Sequence, residues 1–329
     1  MLSKVLLSYG NGGLENQELI KIFLKYFDNQ YGSEDAGLFS GDNFAISTDA
    51  FTITPIFFPG GDIGKLSVCG SCNDVAVMGA KPKYLTISFI IEEGFLISDL
   101  ERIAKSISIE MKANNITLLS ADTKVVSKGA VEGIFITTTV IGEIKYKGIS
   151  SMNLKENDVI IVSGDIGSHG ACLYCLRNNI SLENSLHSDC ASLWGLVESL
   201  LNENIKIHSI RDATRGGIAS VLNEWANSSN CDILLDEDSI PMKDEVRGVC
   251  EILGIEAYSL ANEGVCVFAI PESFAILALE ILHKQPLGKN AAIIGKVIKN
   301  GNKRVVLNTN LGSKRYLEYP QGEILPRIC

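Results

Sequence analysis

Apolar residues recur along this chain with two different periods, and the switches between those periods mark out its elements. In "LENQELIKIFLKYF" (14–27), Leu19, Ile20, Phe23 and Phe27 share one stripe, which predicts an amphipathic helix. "FAIST" and "FTITPIFF" read as two strands bracketing Asp49. A long helix is predicted over 62–79, stopping at Gly79 with Pro82 beyond it. "YLTISFIIE" alternates as a strand. The segment 98–114 reads as a helix, with Ser98 as its cap and Glu101 three residues on. "NITLLSAD" and "EGIFITTTVIGEI" are further strands.

After the polar joint "KYKGISSMNLKEND" the pattern restarts with the buried strand "VIIVSG". Helices are predicted near 169–178, 189–202, 216–228 and 273–284, and strands at 231–235, 264–270, 291–298 and 304–308. The expected organisation is a first domain over 1–150, a second over 151–308 and a tail over 309–329. Both halves mix strands and helices without strict alternation, so an α+β fold is expected rather than a doubly wound sheet. The tail "TNLGSKRYLEYPQGEILPRIC" carries two prolines and two glycines and little periodicity. It reads as a flexible arm of about twenty residues, reaching at most roughly 60–70 Å if extended. Its last residue is Cys329, a thiol expected to stand outside the packed core.

Length and charge narrow the possibilities. A chain of 329 residues, 46% hydrophobic and 21% charged, is long enough for two domains with sizeable cores. Its formal charge of −10 repels phosphodiester backbones and no basic run offsets it, so nucleic acid is not an expected partner. The opening "MLSKVLLSYG" is too short an apolar run for an export signal, and Leu85 to Ile91 falls far below membrane-spanning length. The expectation is a cytoplasmic protein. The nine cysteines are then reduced thiols, most of them in apolar runs. Cys69/Cys72 and Cys172/Cys175 have zinc-like spacing, but on predicted helices positions three apart share one buried face. They are read as core residues.

The chain has no G-x-x-x-x-G-K-[ST] phosphate loop. Glycine clusters stand instead before three predicted helices, in "SYGNGG", "GGDIGK" and "RDATRGG", with "GDIGSHG" after a strand. Each is able to turn backbone N–H groups toward an anion. Asp42, Asp49, Asp62, Asp74, Asp122 and Asp212 accompany these clusters or flank apolar strands, where an unpaired carboxylate is costly. Carboxylates become favourable around Mg²⁺, which prefers hard oxygens and shares its shell with phosphates and water. The inventory suits a nucleotide bound through a metal bridge rather than a lysine cradle.

"FFPGGDIGKLSVCGSCNDVAVMGAKPKYL", "DTKVV", "RDATRGG", "ANEG", "KQPLGKNAAIIG" and the terminal "PRIC" together resemble the HypE family of carbamoyl dehydratases in hydrogenase maturation. These belong with aminoimidazole ribonucleotide synthetase, selenophosphate synthetase and thiamine-phosphate kinase. The resemblance runs over nearly the whole chain. The glycine–aspartate blocks are superfamily-wide, and the "PRIC" ending singles out the dehydratases. It implies a homodimer in which the first-domain sheets close a barrel. It also implies that Cys329 receives a carbamoyl group from the carbamoyltransferase HypF. ATP-dependent dehydration then leaves a thiocyanate, the cyanide source for the iron centre of nickel–iron hydrogenase, assembled on a HypC–HypD scaffold.

By the same resemblance Lys124 and Glu263 join Cys329 as catalytic residues, polarising the oxygen and handling protons. As ordinary residues, Lys124 would pair with the triphosphate and Glu263 would order a turn. Asp42, Asp49, Asp74, Asp122 and Asp212 are implied to surround Mg²⁺ and ATP. Asp62, Lys65, Asn73 and Thr214 are implied to bind the nucleotide, with Gly12 and Gly13 in a flap over it. Tyr9 and Leu14 stand where the family's opening loop has histidine and lysine, and Val265 where lysine is common. The terminal carboxylate is expected to raise the Cys329 thiol pKa and Arg327 to oppose it. Two other readings remain: a non-catalytic carrier of the tail, and a kinase or synthetase acting on a free small molecule.

Overall fold

The computed structural model describes residues 14, 17, 21, 34–38, 43–180, 186–298, 301–321, 325 and 328–329. The helix expected over 14–27, with its stripe Leu19, Ile20, Phe23 and Phe27, lies mostly outside the described residues. So do Tyr9, Gly12, Gly13, Asp42, Pro326 and Arg327.

The first domain is an open five-stranded sheet in the order β1 (Gly37–Leu38), β2 (Phe44–Phe51), β7 (Ile134–Ile144), β5 (Ala80–Glu92), β6 (Thr117–Val126). Its pairings are antiparallel except β5 with β6, and β3 (Phe57–Phe58) and β4 (Gly61–Asp62) pair apart from it as a two-stranded ribbon. Asp49, expected between two strands, lies inside the single strand β2. There the period-2 alternation puts it on the same face as buried Ala45, Ser47 and Phe51. Among the described residues no closed barrel forms within one chain. The edge strand β6 is exposed along nearly its whole length, with Leu118, Leu119 and Val125 uncovered.

Helix α1 (Ile63–Val77) buries thirteen of its fifteen residues, as expected for a helix without a polar face. It packs on β2, β5 and β7 and on helix α2 (Ile97–Ala113), and its far side meets the second domain. Cys69 and Cys72 lie fully buried on it. Ser98 falls inside α2 rather than at its cap, which is Leu96 with no side-chain bond.

The second domain is a seven-stranded mixed sheet in the order β14 (Lys314–Tyr316), β13 (Val305–Asn308), β10 (Asp232–Asp236), β12 (Ala292–Ile298), β8 (Asp158–Val162), β11 (Cys266–Pro271), β9 (Ser209–Asp212). Every residue of β8 is buried, with Ile160 and Val162 in one apolar cluster and Val159 and Ile161 in another. That is the signature of a strand covered on both faces. Helices α3 (Ser168–Arg177), α5 (Gly217–Ser228) and α6 (Asp244–Leu253) contribute to the first cluster, and α4 (Trp194–Asn202) and α7 (Glu272–His283) to the second. The strand β9 and the helix α6 were not anticipated from periodicity.

Two departures have a clear cause. The helix expected from 189 begins only at Trp194, because the preceding N–H groups are taken by tertiary partners. Ser188 donates to the Pro59 carbonyl at 2.8 Å, Ala191 to the Glu263 carbonyl at 3.1 Å and Leu193 to Asn73 Oδ1 at 2.8 Å. The span expected to be a free tail from 309 pairs with the sheet through β14, and Leu317, Leu325 and Ile328 are buried.

The "RGG" turn that opens α5 requires glycine. Gly217 has φ +57°, and a Cβ there would stand 2.4 Å from the Tyr258 carbonyl oxygen and 2.5 Å from that of Leu260. Gly217→Ala is therefore expected to destabilise the fold by about 1–3 kcal/mol, read as a lowered thermal unfolding midpoint. An unchanged midpoint would show that this close approach is not needed.

Candidate active site

The elements converge on a cavity of about 410 Å³ between the two domains. Strand β2 supplies Asp49 from its inner face, α1 supplies Asp74, and the C-terminal end of β9 supplies Asp212. Thr214 and Arg215 follow in the turn before α5, Glu263 comes from the loop before β11, and Cys329 closes the wall. Among the described residues seven acidic side chains line the space (Glu34, Asp35, Asp49, Asp74, Asp212, Glu224, Glu263) against the guanidinium groups of Arg211 and Arg215. Arg211 is already engaged, with Asp35 at 2.8 Å and Glu224 at 2.9 Å.

Crowding shows in the protonation of these groups. Burial, then the charges of Asp49 and Asp212, hold Asp74 well above the ordinary carboxylate range, although Ser47 donates to it at 2.5 Å. Burial also lifts Asp212 to about 6 against the opposing pull of Arg211. Glu263 is 2% exposed, and its Oε1 has no partner. Its pKa is raised well above normal by burial and by Asp212 and Asp189. A carboxylate in that state accepts a proton readily.

Among the described residues no three histidine, cysteine or acidic side chains stand together at metal-binding distance. The donor set still fits a hard divalent cation. Asp49, Asp74 and Asp212 are oxygen donors that repel one another until a cation arrives, and Mg²⁺ fills much of its shell with phosphate oxygens and water.

The terminal residue is docked. Thr52 donates to a terminal carboxylate oxygen of Cys329 from its backbone N at 3.0 Å and from Oγ1 at 3.4 Å. His169 Nε2 meets the Ile328 carbonyl at 2.7 Å. Burial pushes the Cys329 thiol up to about 11, with Arg215 as the cation pulling the other way. Among the described residues burial and Arg215 are the leading influences on this thiol; Arg327, expected to act on it, lies outside them. The docked thiol is neutral at pH 7–8. Since its pKa is raised by docking, docking stability is complete below the free value of about 8.5 and is lost as pH rises toward about 11. Alkylation of Cys329 is expected to accelerate across that window; a midpoint at the free-thiol value would mean that the sulfur is not held in the wall.

Other anticipated residues lie elsewhere. Asp62 caps α1, accepting from Gly64 N at 2.8 Å and Lys65 N at 3.0 Å. Lys65 Nζ donates to the Gly60 carbonyl at 3.2 Å. Asn73 is buried and spans the interdomain contact, donating to the Ala191 carbonyl at 3.1 Å and accepting from Leu193. Asp122 and Lys124 form an exposed pair at 2.9 Å on β6 and do not line the cavity of their own chain. Val265 is buried.

Residues 33–144 match the model of the AIR synthase related protein N-terminal domain, and residues 155–308 match that of its C-terminal domain. The chain is 42% identical to the carbamoyl dehydratase HypE of Escherichia coli (strain K12), over the full length of both. The chain belongs to the HypE family. A crystal structure of HypE in complex with ATP superposes with a TM-score of 0.85 at 41% identity, covering 99% of this chain and all of the other. A chain of a crystal structure of a HypE–HypF complex gives 0.87 at 44% identity, covering 92% of this chain and 99% of the other.

The HypE pattern made Asp49, Asp74, Asp212, Thr214, Glu263 and Cys329 legible, and the structure brings those six together. Asp35, Arg211, Arg215 and His169 were missed. Arg211, Arg215 and His169 stand in the blocks "RDATRGG" and "GDIGSHG", where the glycines, Asp212 and Thr214 carried the signal. Asp35 carries no local signal.

Proposed function

We propose that this chain dehydrates the carbamoyl group carried on its own Cys329, consuming ATP, and so makes the cyanide precursor for hydrogenase maturation. The observation that carries the reading is the docking of the terminal thiol in the wall of a carboxylate-lined cavity, beside Glu263 and Arg215.

The chemistry requires such a site. An S-carbamoyl group, S–C(=O)–NH₂, loses water poorly because hydroxide is a poor leaving group. Attack of the carbamoyl oxygen on the γ-phosphorus of ATP releases ADP, and one N–H proton is lost to give an imidate-like phosphate ester. Loss of the second N–H proton with cleavage of the C–O bond expels phosphate and leaves S–C≡N. The net change is one ATP to ADP and phosphate, with the oxygen departing in phosphate. Glu263, with its raised pKa and free Oε1, takes the first nitrogen proton, the departing phosphate takes the second, and Arg215 faces the developing negative charge. Mg²⁺, held by Asp49, Asp74 and Asp212, would neutralise the triphosphate in this acidic cavity.

Asp122 and Lys124 fit this scheme through a second copy of the chain. The ten-residue edge strand β6 is exposed, and such an edge invites pairing with another sheet. Pairing across a homodimer would extend the open sheet toward a barrel and carry Lys124 and Asp122 to the partner. HypF is the proposed carbamoyl donor and a HypC–HypD complex the acceptor of the cyano group. In domain terms, 1–150 and 151–308 are the two lobes, and 309–329 delivers the thiol. No helix among the described residues is long and apolar enough to cross a membrane.

Intact-mass measurement of the tail tests the proposal. With the HypF donor system, Cys329 should gain a carbamoyl group; on adding Mg²⁺ and ATP the same peptide should lose one water. A carbamoylated peptide that keeps its mass with ATP present would overturn it.

A further inference from the structure

We propose that His169 and Ser188 form a clamp that receives the penultimate carbonyl of the tail and sets the position of Cys329 against Glu263. This rests on the reading of the tail as the substrate-bearing arm and adds two positioning residues to it.

The hydrogen bonds fix every proton in the clamp. His169 is completely buried in α3, with Phe58 edge-on to its ring at 5.6 Å between centroids. Burial lowers its pKa to about 4, so the ring is neutral and carries one N–H. The Ile328 carbonyl, 2.7 Å from Nε2, can only accept, so that proton is on Nε2. Nδ1 must then accept, and Ser188 Oγ, 2.7 Å away, is its donor. Ser188 Oγ in turn accepts from Cys190 N at 3.1 Å. The relay therefore runs in one direction, from the Cys190 amide through the serine and the histidine to the tail. A wrong tautomer would place a lone pair against the Ile328 carbonyl.

The loop that carries Ser188 also holds the proposed base. Asp189 Oδ2 accepts from Glu263 N at 3.1 Å and Gly264 N at 3.0 Å, and Ala191 N donates to the Glu263 carbonyl at 3.1 Å. Asn73 ties the next residues of the loop to α1. One irregular segment, 188–193, thus grips the tail through Ser188 and His169, the Glu263 turn through Asp189 and Ala191, and the first domain through Asn73. The thiol and the base share a single frame. This explains why the segment gives up helical hydrogen bonds that its sequence would support.

The test is labelling of Cys329 with iodoacetamide in the full-length protein at pH 8, followed by mass spectrometry of each cysteine peptide. His169→Leu keeps an apolar body but no donor, and Cys329 should label about tenfold faster than in the parent, the scale of one lost buried hydrogen bond. The other eight cysteines, all buried, should not change. His169→Gln offers an amide N–H to the same carbonyl and should return the rate most of the way to the parent value. The clamp is refuted if His169→Leu labels Cys329 at the parent rate, if all cysteines speed up together, or if glutamine fails to rescue. Should His169→Leu not fold, Ser188→Ala is read in its place. It should accelerate Cys329 labelling about threefold by freeing the tautomer, and an unchanged rate refutes the clamp. Labelling needs neither carbamoyl donor nor ATP, so its result stands apart from that of the dehydration assay.

Discussion

Glu263→Gln is expected to reduce dehydration of carbamoylated Cys329 by about 10²–10⁴-fold, the range for loss of a positioned proton acceptor. Carbamoylation of the thiol should continue, so the S-carbamoyl form should accumulate. The substitution is nearly isosteric, and the Glu263 backbone is held by Asp189 and Ala191 whatever its side chain. A buried carboxylate with an unpartnered oxygen, pressed by Asp212 and Asp189, is itself a cost to the fold. A neutral amide relieves that charge, so thermal stability should hold or rise. A slow variant that stays folded assigns the defect to proton transfer. Single-turnover mass spectrometry after ATP addition measures it, and a rate within a few-fold of the parent would remove Glu263 from the mechanism.

Cys329→Ala should abolish the cyano product altogether, because the reacting group is covalently carried by that sulfur. Mg²⁺–ATP binding should persist, since Asp49, Asp74, Asp212 and Thr214 are untouched and the rest of the tail keeps its contacts through Ile328 and Leu325. Calorimetry for binding and phosphate release for turnover separate the two effects. A variant that bound ATP and phosphorylated an added small molecule at the parental rate would instead support a free-substrate kinase. Failure of the parent protein itself to bind Mg²⁺–ATP would support the non-catalytic carrier.

Much of the fold is legible in the sequence. The helix expected over 62–79 appears as Ile63–Val77, and the strands around 231–235, 264–270, 291–298 and 304–308 appear within two residues of those bounds. These are long or strongly patterned segments whose local preference agrees with their burial. The misses are segments where distant groups outbid local preference. Residues 188–193 carry a helical pattern but spend their amides on Pro59, Asn73 and Glu263. Lys314–Tyr316 has no periodicity and becomes a strand because β13 offers an unpaired edge. Asp62 looked like a phosphate contact and proves to be a helix cap, since both roles favour an acid before a helix start.

By itself the sequence determined the chemical inventory: the acidic side chains beside glycine turns, the terminal thiol, and a negative surface that leaves no lysine cradle for phosphate. These follow from residue identity, which no folding alters. Tertiary structure alone decided which of those groups meet. It sent Asp49, Asp74, Asp212, Glu263 and Cys329 to one cavity and left Asp122 and Lys124 on an exposed edge. It also enlisted His169, Ser188 and Arg215, because burial and direction belong to the space between elements and to no single stretch of chain.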